Sequence, residues 1–426
     1  MFFLYIVVAA VLRYTLAFSP SFLPCQVKKP ASQSTLTGCP PGTILVSNDD
    51  FDPDASFSSI QDAILSLPDL GHATILIAEG QYQETLNVTR KGPLTLLGQL
   101  PAGSTIASFA NGSASNLVQV WNNQFVHTGM DDADSAVLTV APSYEAALIG
   151  SGPTGAPLQP LFGNTDFRAY NIDFQNRAAN FAISQALVTD ISYANASFYG
   201  CSFASYQDTW YTGRNGSTYV FDSVIYGQTD YLFGFGTAWF QNVVLANRAC
   251  GGGIVAWKGT NLTDAPGNRY GAYISDSRII RSPDANATTD ITERCYLGRP
   301  WNDLATTVFL STFMENVIQP AGWTPFSSDR YDRIVPLIFA DEQRDRRPEI
   351  LNTTFYAEFN SSGEPSLSLS LACISIIYTG PGGNTSARIS LEHILTADEA
   401  RNFTGDKVFL ERPSWIDHSY LSSFEQ

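Results

Sequence analysis

The chain has 426 residues, 44% of them hydrophobic and 15% charged, a composition that excludes a disordered polymer and suffices for a large core. Its formal charge of −16, with no Lys/Arg-rich stretch to offset it, excludes nucleic acid as a partner, because phosphate recognition needs a basic surface. From the N-terminus, Phe2 to Leu12 is a short apolar run followed by Arg13 and small residues to Ala17. It is too short to span a membrane and suits the core of a signal peptide over 1–17, although its leading segment lacks a positive charge. Residues 18–42 read as a Pro/Ser/Thr-rich lead-in, and from Thr43 to the end no linker divides the chain, which predicts a single domain over 43–426. No later segment offers the roughly 18 uninterrupted apolar residues of a membrane anchor, and the C-terminal Leu421 to Gln426 is polar.

The first element with helical periodicity is Ser56 to Leu67, with Ile60, Ala63, Ile64 and Leu67 on one face and Pro68 as its stop. After it the pattern turns to short β segments bounded by Gly, Pro or Asn: Thr74–Ala78, Leu94–Leu97, Ala136–Val140 and Ala146–Ile149. In the middle of the chain the segments repeat. Ile172-Asp173-Phe174, Cys201-Ser202-Phe203, Ser223-Val224-Ile225 and Val243-Val244-Leu245 start 29, 22 and 20 residues apart, each beside an Asn, Gly or Asp turn. A β-rich repeat near that length predicts an all-β solenoid whose coils stack about 4.8 Å apart. A β-sandwich, with turns every 8–12 residues or so, fits the spacing less well.

Six cysteines, Cys25, Cys39, Cys201, Cys250, Cys295 and Cys373, are scattered rather than paired as CxxC, which suits disulfides of unassigned connectivity rather than zinc. Asn-X-Ser/Thr sequons begin at Asn87, Asn111, Asn195, Asn215, Asn261, Asn286, Asn352, Asn360, Asn384 and Asn402, which with the apolar leader predicts a secreted glycoprotein.

Two pairs share the 22-residue spacing: Gln185 with Gln207, and Asp208 with Asp230. On a solenoid of that pitch each pair becomes a vertical stack, placing two carboxylates and two carboxamides on one face. Like charges that close do not both ionise freely, so one carboxyl serves as acid while the other serves as base or nucleophile. Polar ladders on solenoids also cap turns, so spacing alone leaves catalysis and a structural role both open. Other signals carry no chemistry. Gly150 to Gly155 matches GxGxxG, but Pro153, Pro157 and Pro160 forbid the helix a dinucleotide site requires. Asp50 to Asp54 starts like a calcium loop, with Ala55 where Gly is needed and Gln61 where the bidentate Glu belongs. His72, His127, His393 and His418 are dispersed and no GxSxG exists, so a Ser-His-Asp hydrolase is unsupported.

The words around these residues add a further constraint. GQYQE (Gly80–Glu84), QAL (Gln185–Leu187), YQDTWY (Tyr206–Tyr211), TDYLFG (Thr229–Gly234) and LGRPW (Leu297–Trp301) resemble, in order, the signature set of pectin methylesterases. FMENVIQPAGW (Phe313–Trp323), FYAEFNSSG (Phe355–Gly363) and the stretch from Leu395 to Trp415 extend the resemblance over roughly residues 45–416. The resemblance implies a right-handed parallel β-helix with a short N-terminal helix cap and a C-terminal extension. It implies hydrolysis of galacturonate methyl esters in pectin by a secreted, monomeric, cofactor- and metal-free enzyme acting on plant cell walls. Matched residue by residue, Asp230 falls at the nucleophile and Asp208 at the general acid/base, with Gln185 and Gln207 at the oxyanion-stabilising positions. Arg299 falls at the arginine that holds the nucleophile, Trp301 at the substrate-contacting tryptophan, and Tyr211 and Phe233 at positions that line the sugar cleft.

The chain departs from the common family pattern at Trp210, Tyr231, Leu232, Phe326 and the Ala256-Trp257-Lys258-Gly259 segment, which puts subsite preference in question. The short lead-in leaves no room for the inhibitor-like pro-domain of many plant members and, with the sequons, points to a fungal-type enzyme. The rival readings are another pectin-active β-helix, a lyase or hydrolase, and a wall-binding β-helix without activity.

Overall fold

Corner residues explain how the chain coils. At Asn171, Gly200, Asp222, Asn242, Asp276, Ser311 and Asn360 the backbone enters the left-handed region, with φ between 46° and 59°. These positions recur once per coil, and most are Gly, Asn or Asp, the residues that tolerate this conformation at least cost. Each corner ends one strand and starts the next in a different sheet. In this computed structural model the described residues are 22–49, 51–104, 116–150, 156, 158–260, 268–326, 352–363, 366–370, 373–377 and 381–422. Residues 1–17, expected as a signal peptide, the sequons at Asn111 and Asn261, and most of the GxGxxG loop lie outside them.

Three parallel sheets form the walls of a β-helix. The first runs through eleven strands from Ile44–Val46 to His393–Ile394, the second through nine from Gly80–Gln83 to Ser362–Gly363, and the third through seven from Leu86–Val88 to Tyr296–Pro300. The repeat read from the sequence is the register of the second sheet: Phe174 pairs with Phe203, Phe203 with Ile225, and Ile225 with Leu245. Inside the bore, alternate residues of all three walls interlock, including Phe167, Phe198, Phe203, Trp210, Phe240 and Trp257. The Trp210 ring meets Phe198, Phe203 and Phe240 edge-on at 5.2, 4.8 and 5.6 Å, the arrangement that aromatic quadrupoles favour.

The predicted helix forms over Ile60–Leu65 and buries Ile60, Ala63 and Ile64. It starts four residues later than the periodicity allowed because Ser59 caps it and Glu84 accepts hydrogen bonds from Ser59 Oγ and the Ile60 and Gln61 amides. The carboxylate of the GQYQE segment thus satisfies orphan donors at a helix N-terminus. Strands form at Ala73–Ile77, Leu94–Gly98 and Leu138–Val140 as expected. Ala146–Ile149 does not become a strand. Ser143 caps a helical turn over Tyr144–Ala147 instead, a local side-chain bond that overrides a weak β pattern.

The C-terminal segment packs Trp415, Ile416 and Tyr420 onto the outer face of the first sheet, against Tyr170, Tyr199, Tyr219 and Phe221. Tyr170 Oη donates to Asp417 at 2.9 Å and Ser197 Oγ to the Trp415 carbonyl at 3.0 Å. Cys25–Cys39 and Cys250–Cys295 form disulfides, while Cys201 is a free thiol buried in the core. Asn87, Asn286, Asn352, Asn360, Asn384 and Asn402 are exposed, as glycan acceptors must be. No helix among the described residues is long and apolar enough to cross a membrane.

Near the C-terminal coils, Arg388 Nε lies 2.6 Å from Glu358 and 3.8 Å from Glu392. Burial and the neighbouring Glu358 push the Glu392 carboxyl up to about 9. Because its folded pKa lies above the ordinary value of 4.5, the folded state binds this proton more tightly than the unfolded chain. The associated stability is therefore complete below about pH 4.5 and declines as pH rises toward 9. Glu392→Gln should flatten that decline in thermal unfolding curves recorded from pH 5 to 9; an unchanged slope would assign it to other groups.

Candidate active site

A second ladder of left-handed residues lies where the chain passes from the second sheet to the third. Asp208 (φ 60°), Asp230 (φ 48°) and Gly252 (φ 63°) occupy successive coils, each 22 residues from the last. Asp and Gly are among the residues that enter this region most readily. Gln207 forms a parallel bridge with Thr229. The Asp208 amide donates to the Thr229 carbonyl at 3.1 Å, and the Ala186 amide donates to the Gln207 carbonyl at the same distance. Gln185 and Gln207, and likewise Asp208 and Asp230, thus sit on adjacent coils about 4.8 Å apart along the helix axis.

The Asp230 carboxylate is fully engaged. Its Oδ1 accepts from Arg299 Nε at 2.9 Å and from the Gly253 amide at 3.1 Å, and its Oδ2 accepts from Arg299 Nη2 at 2.6 Å. Both partners are buried, Asp230 at 4% and Arg299 at 5% exposure. A planar fork on a carboxylate fixes its orientation. The Phe326 ring covers the guanidinium, its centroid 4.0 Å from Cζ. Arg299 stands on Tyr296–Pro300, two strands beyond the Asp230 turn, so its side chain must cross the intervening coil. Gly252 leaves that path open. A Cβ there would lie 2.7 Å from Arg299 Cζ and Nη2 and from Asp230 Oδ1. Cys250–Cys295 ties the two strands just ahead of these residues and closes a 45-residue loop, a constraint worth about 4 kcal/mol by chain entropy.

Gln207 is buried, and its Nε2 has no hydrogen-bond acceptor among the described residues. An orphaned buried amide donor costs free energy unless a ligand atom meets it. Gln185 is half-buried, and its Oε1 accepts from Ser184 Oγ at 2.8 Å, which orients the carboxamide.

The aromatic residues divide differently from the sequence expectation. Tyr211 and Phe233 point outward from the third sheet, but they are buried beneath Ala133, Ala146, Ile149 and Leu187 rather than lying open as cleft wall. They support Trp301, whose ring is 6.4 Å from Tyr211 and 5.7 Å from Phe233 and stays half-exposed. Trp210, Tyr231 and Trp257, the departures expected to alter the cleft, face the bore and are wholly buried. Strand alternation decides this for Trp210 and Trp257, whose strand neighbours Tyr211 and Ala256 face outward, while Tyr231 lies in the turn ahead of Leu232–Gly234. Of the departures, Phe326 meets Arg299, Lys258 meets Trp301, and Ala256 packs with Tyr211 and Phe233. Sequence reasoning missed Gly252, although its 22-residue offset from Asp230 continues the spacing of the two aspartates.

The sequence model of the family described as Pectinesterase matches residues 161–412. The chain is 29% identical to a probable pectinesterase A of Aspergillus niger over 90% of each chain. It is 28% identical to a probable pectinesterase/pectinesterase inhibitor of Arabidopsis thaliana, covering 86% of this chain and 57% of that longer one. Among solved structures, the pectin methylesterase of Aspergillus niger superposes with a TM-score of 0.62 at 25% identity, covering 89% of this chain and 98% of the other. The carrot pectin methylesterase gives 0.62 at 22% identity over 88% and 95%, and shares the right-handed parallel β-helix.

Proposed function

Because the chain belongs to the pectinesterase family, a group of carboxylic ester hydrolases, we propose that it removes methyl esters from pectin with Asp230 as nucleophile and Asp208 as proton carrier. The observation that carries the assignment is the buried Asp230 carboxylate, oriented by two hydrogen bonds from Arg299 beside the unmatched amide of Gln207.

Asp230 attacks the ester carbonyl carbon, forming an acyl-enzyme anhydride through a tetrahedral oxyanion. The Nε2 groups of Gln207 and Gln185 donate to that oxyanion, each donor worth about 3–4 kcal/mol in such sites. Methanol departs with the proton of Asp208. Asp208, now a carboxylate, takes a proton from the incoming water, whose oxygen attacks the anhydride carbonyl. The carbon–oxygen bond to Asp230 breaks, releasing a galacturonate carboxylic acid and restoring both aspartates. Arg299 keeps the Asp230 carboxylate aimed throughout. The half-exposed Trp301 ring offers a flat apolar face to a pyranose ring, with Tyr211 and Phe233 as its backing.

Residues 43–426 act as one catalytic domain in this reading, a monomer secreted after removal of 1–17 and glycosylated at the exposed sequons. Incubation with highly methylated pectin should release methanol without new reducing or unsaturated chain ends. Chain cleavage without methanol would replace this reading with a lyase or hydrolase, and binding without either product would leave a wall-binding β-helix.

A further inference from the structure

Lys258 follows the strand Gly253–Trp257, where Trp257 faces the bore and the next residue must face outward. The outward direction is covered, and Lys258 is wholly buried. Its Nζ has no hydrogen-bond acceptor among the described residues. It lies instead 3.7 Å from the centroid of the Trp301 ring and 4.9 Å from that of Phe235. The charged groups acting on it come from two neighbouring elements: Arg214 from the turn after Trp210–Thr212, and Asp131 and Asp132 from the segment leading into Asp132–Ser135. An ammonium without a bonded carboxylate is expensive to bury, and aromatic faces are its principal compensation here. The Trp301 ring is the half-exposed aromatic of the cleft, so the amine is built into the back of the surface that meets the sugar.

We propose that Lys258 is a positioning residue for substrate binding: its buried ammonium holds the Trp301 ring in place, and affinity for pectin depends on that ammonium being charged. The inference rests on the reading of the cleft given above. Attraction between a cation and a ring face disappears when the amine loses its proton. Burial, reinforced by Arg214, lowers the Lys258 pKa to about 7. The amine is therefore charged below about pH 7 and neutral above it, so the hold on Trp301 weakens as pH rises through neutrality.

The test is steady-state kinetics of methanol release from pH 5 to 9 for the full chain and for Lys258→Met, Lys258→Arg, Trp301→Leu and the Lys258→Met/Trp301→Leu double variant. For the wild type, KM should rise several-fold between pH 6 and 8. In Lys258→Met it should be raised about tenfold at pH 6, with kcat within about twofold, and should lose the wild-type rise with pH. Lys258→Arg, which stays charged, should restore a low KM that no longer changes through neutrality. Adding Lys258→Met to Trp301→Leu should cost little further, since the amine acts through the ring face that leucine lacks. A KM profile unchanged in Lys258→Met would overturn the proposal, as would a full Lys258→Met penalty persisting without Trp301. If the wild type releases no methanol, the functional reading fails first and separately. Lys258→Met removes a buried charge and should fold at least as stably, which thermal unfolding verifies.

Discussion

Asp230→Asn should bind methylated pectin and release methanol at least about 10⁴-fold more slowly than the wild-type chain, the scale of loss when a nucleophile is removed from a preorganised site. The amide keeps the volume of the carboxylate and still accepts from the Gly253 amide, so the turn at φ 48° is not forced to rearrange. It has no anionic oxygen to form the anhydride. It also leaves the Arg299 guanidinium, 5% exposed, without its counter-charge, which costs about 3–5 kcal/mol when a buried pair is broken from one side. Two readouts follow from one substitution: loss of turnover and a lower melting temperature. Methanol release within tenfold of wild type would refute Asp230 as nucleophile, whatever the stability change.

Gly252→Ala should reduce kcat by about 100-fold, the loss expected when reacting groups are displaced by about 1 Å. The new Cβ would lie 2.7 Å from Arg299 Cζ and from Asp230 Oδ1, closer than carbon–carbon or carbon–oxygen contacts allow. Either the guanidinium or the carboxylate must move, and both are packed. A left-handed alanine costs a further 1–2 kcal/mol or so in backbone strain, which lowers stability without touching the chemistry. Gly103→Ala separates the two effects, because Gly103 has φ 72° and no atom of the described residues stands within 4 Å of where its Cβ would be. The Gly103 variant should show the stability loss with wild-type kcat. Equal kcat in both variants would show that Gly252 serves only the turn.

The chemistry of the site was legible to the degree that it depends on spacing. A solenoid turns a fixed sequence offset into a vertical contact, so Gln185 over Gln207 and Asp208 beside Asp230 follow from the 22-residue interval. The same rule carried the second-sheet register through Phe174, Phe203, Ile225 and Leu245. The local β pattern misled at Ala146–Ile149, where the Ser143 cap bends a weakly alternating segment into a helical turn. Departure from the family pattern likewise misplaced Trp210, Tyr231 and Trp257 in the cleft, since a changed residue type does not say which face of the coil it takes.

By itself, then, the sequence determined the coil repeat, the corner residues that permit it, and the family signature from GQYQE to LGRPW. These are local or periodic properties, set by the conformations each residue accepts and by an interval that recurs along the chain. Only the tertiary structure decided that Arg299 reaches Asp230 over Gly252, that Tyr211 and Phe233 lie buried behind Trp301, and that Lys258 sits against the indole. Those contacts join residues from different coils through long side chains and the loop cover over Ala133–Ile149. Their geometry depends on packing in three dimensions, which no interval along the sequence encodes.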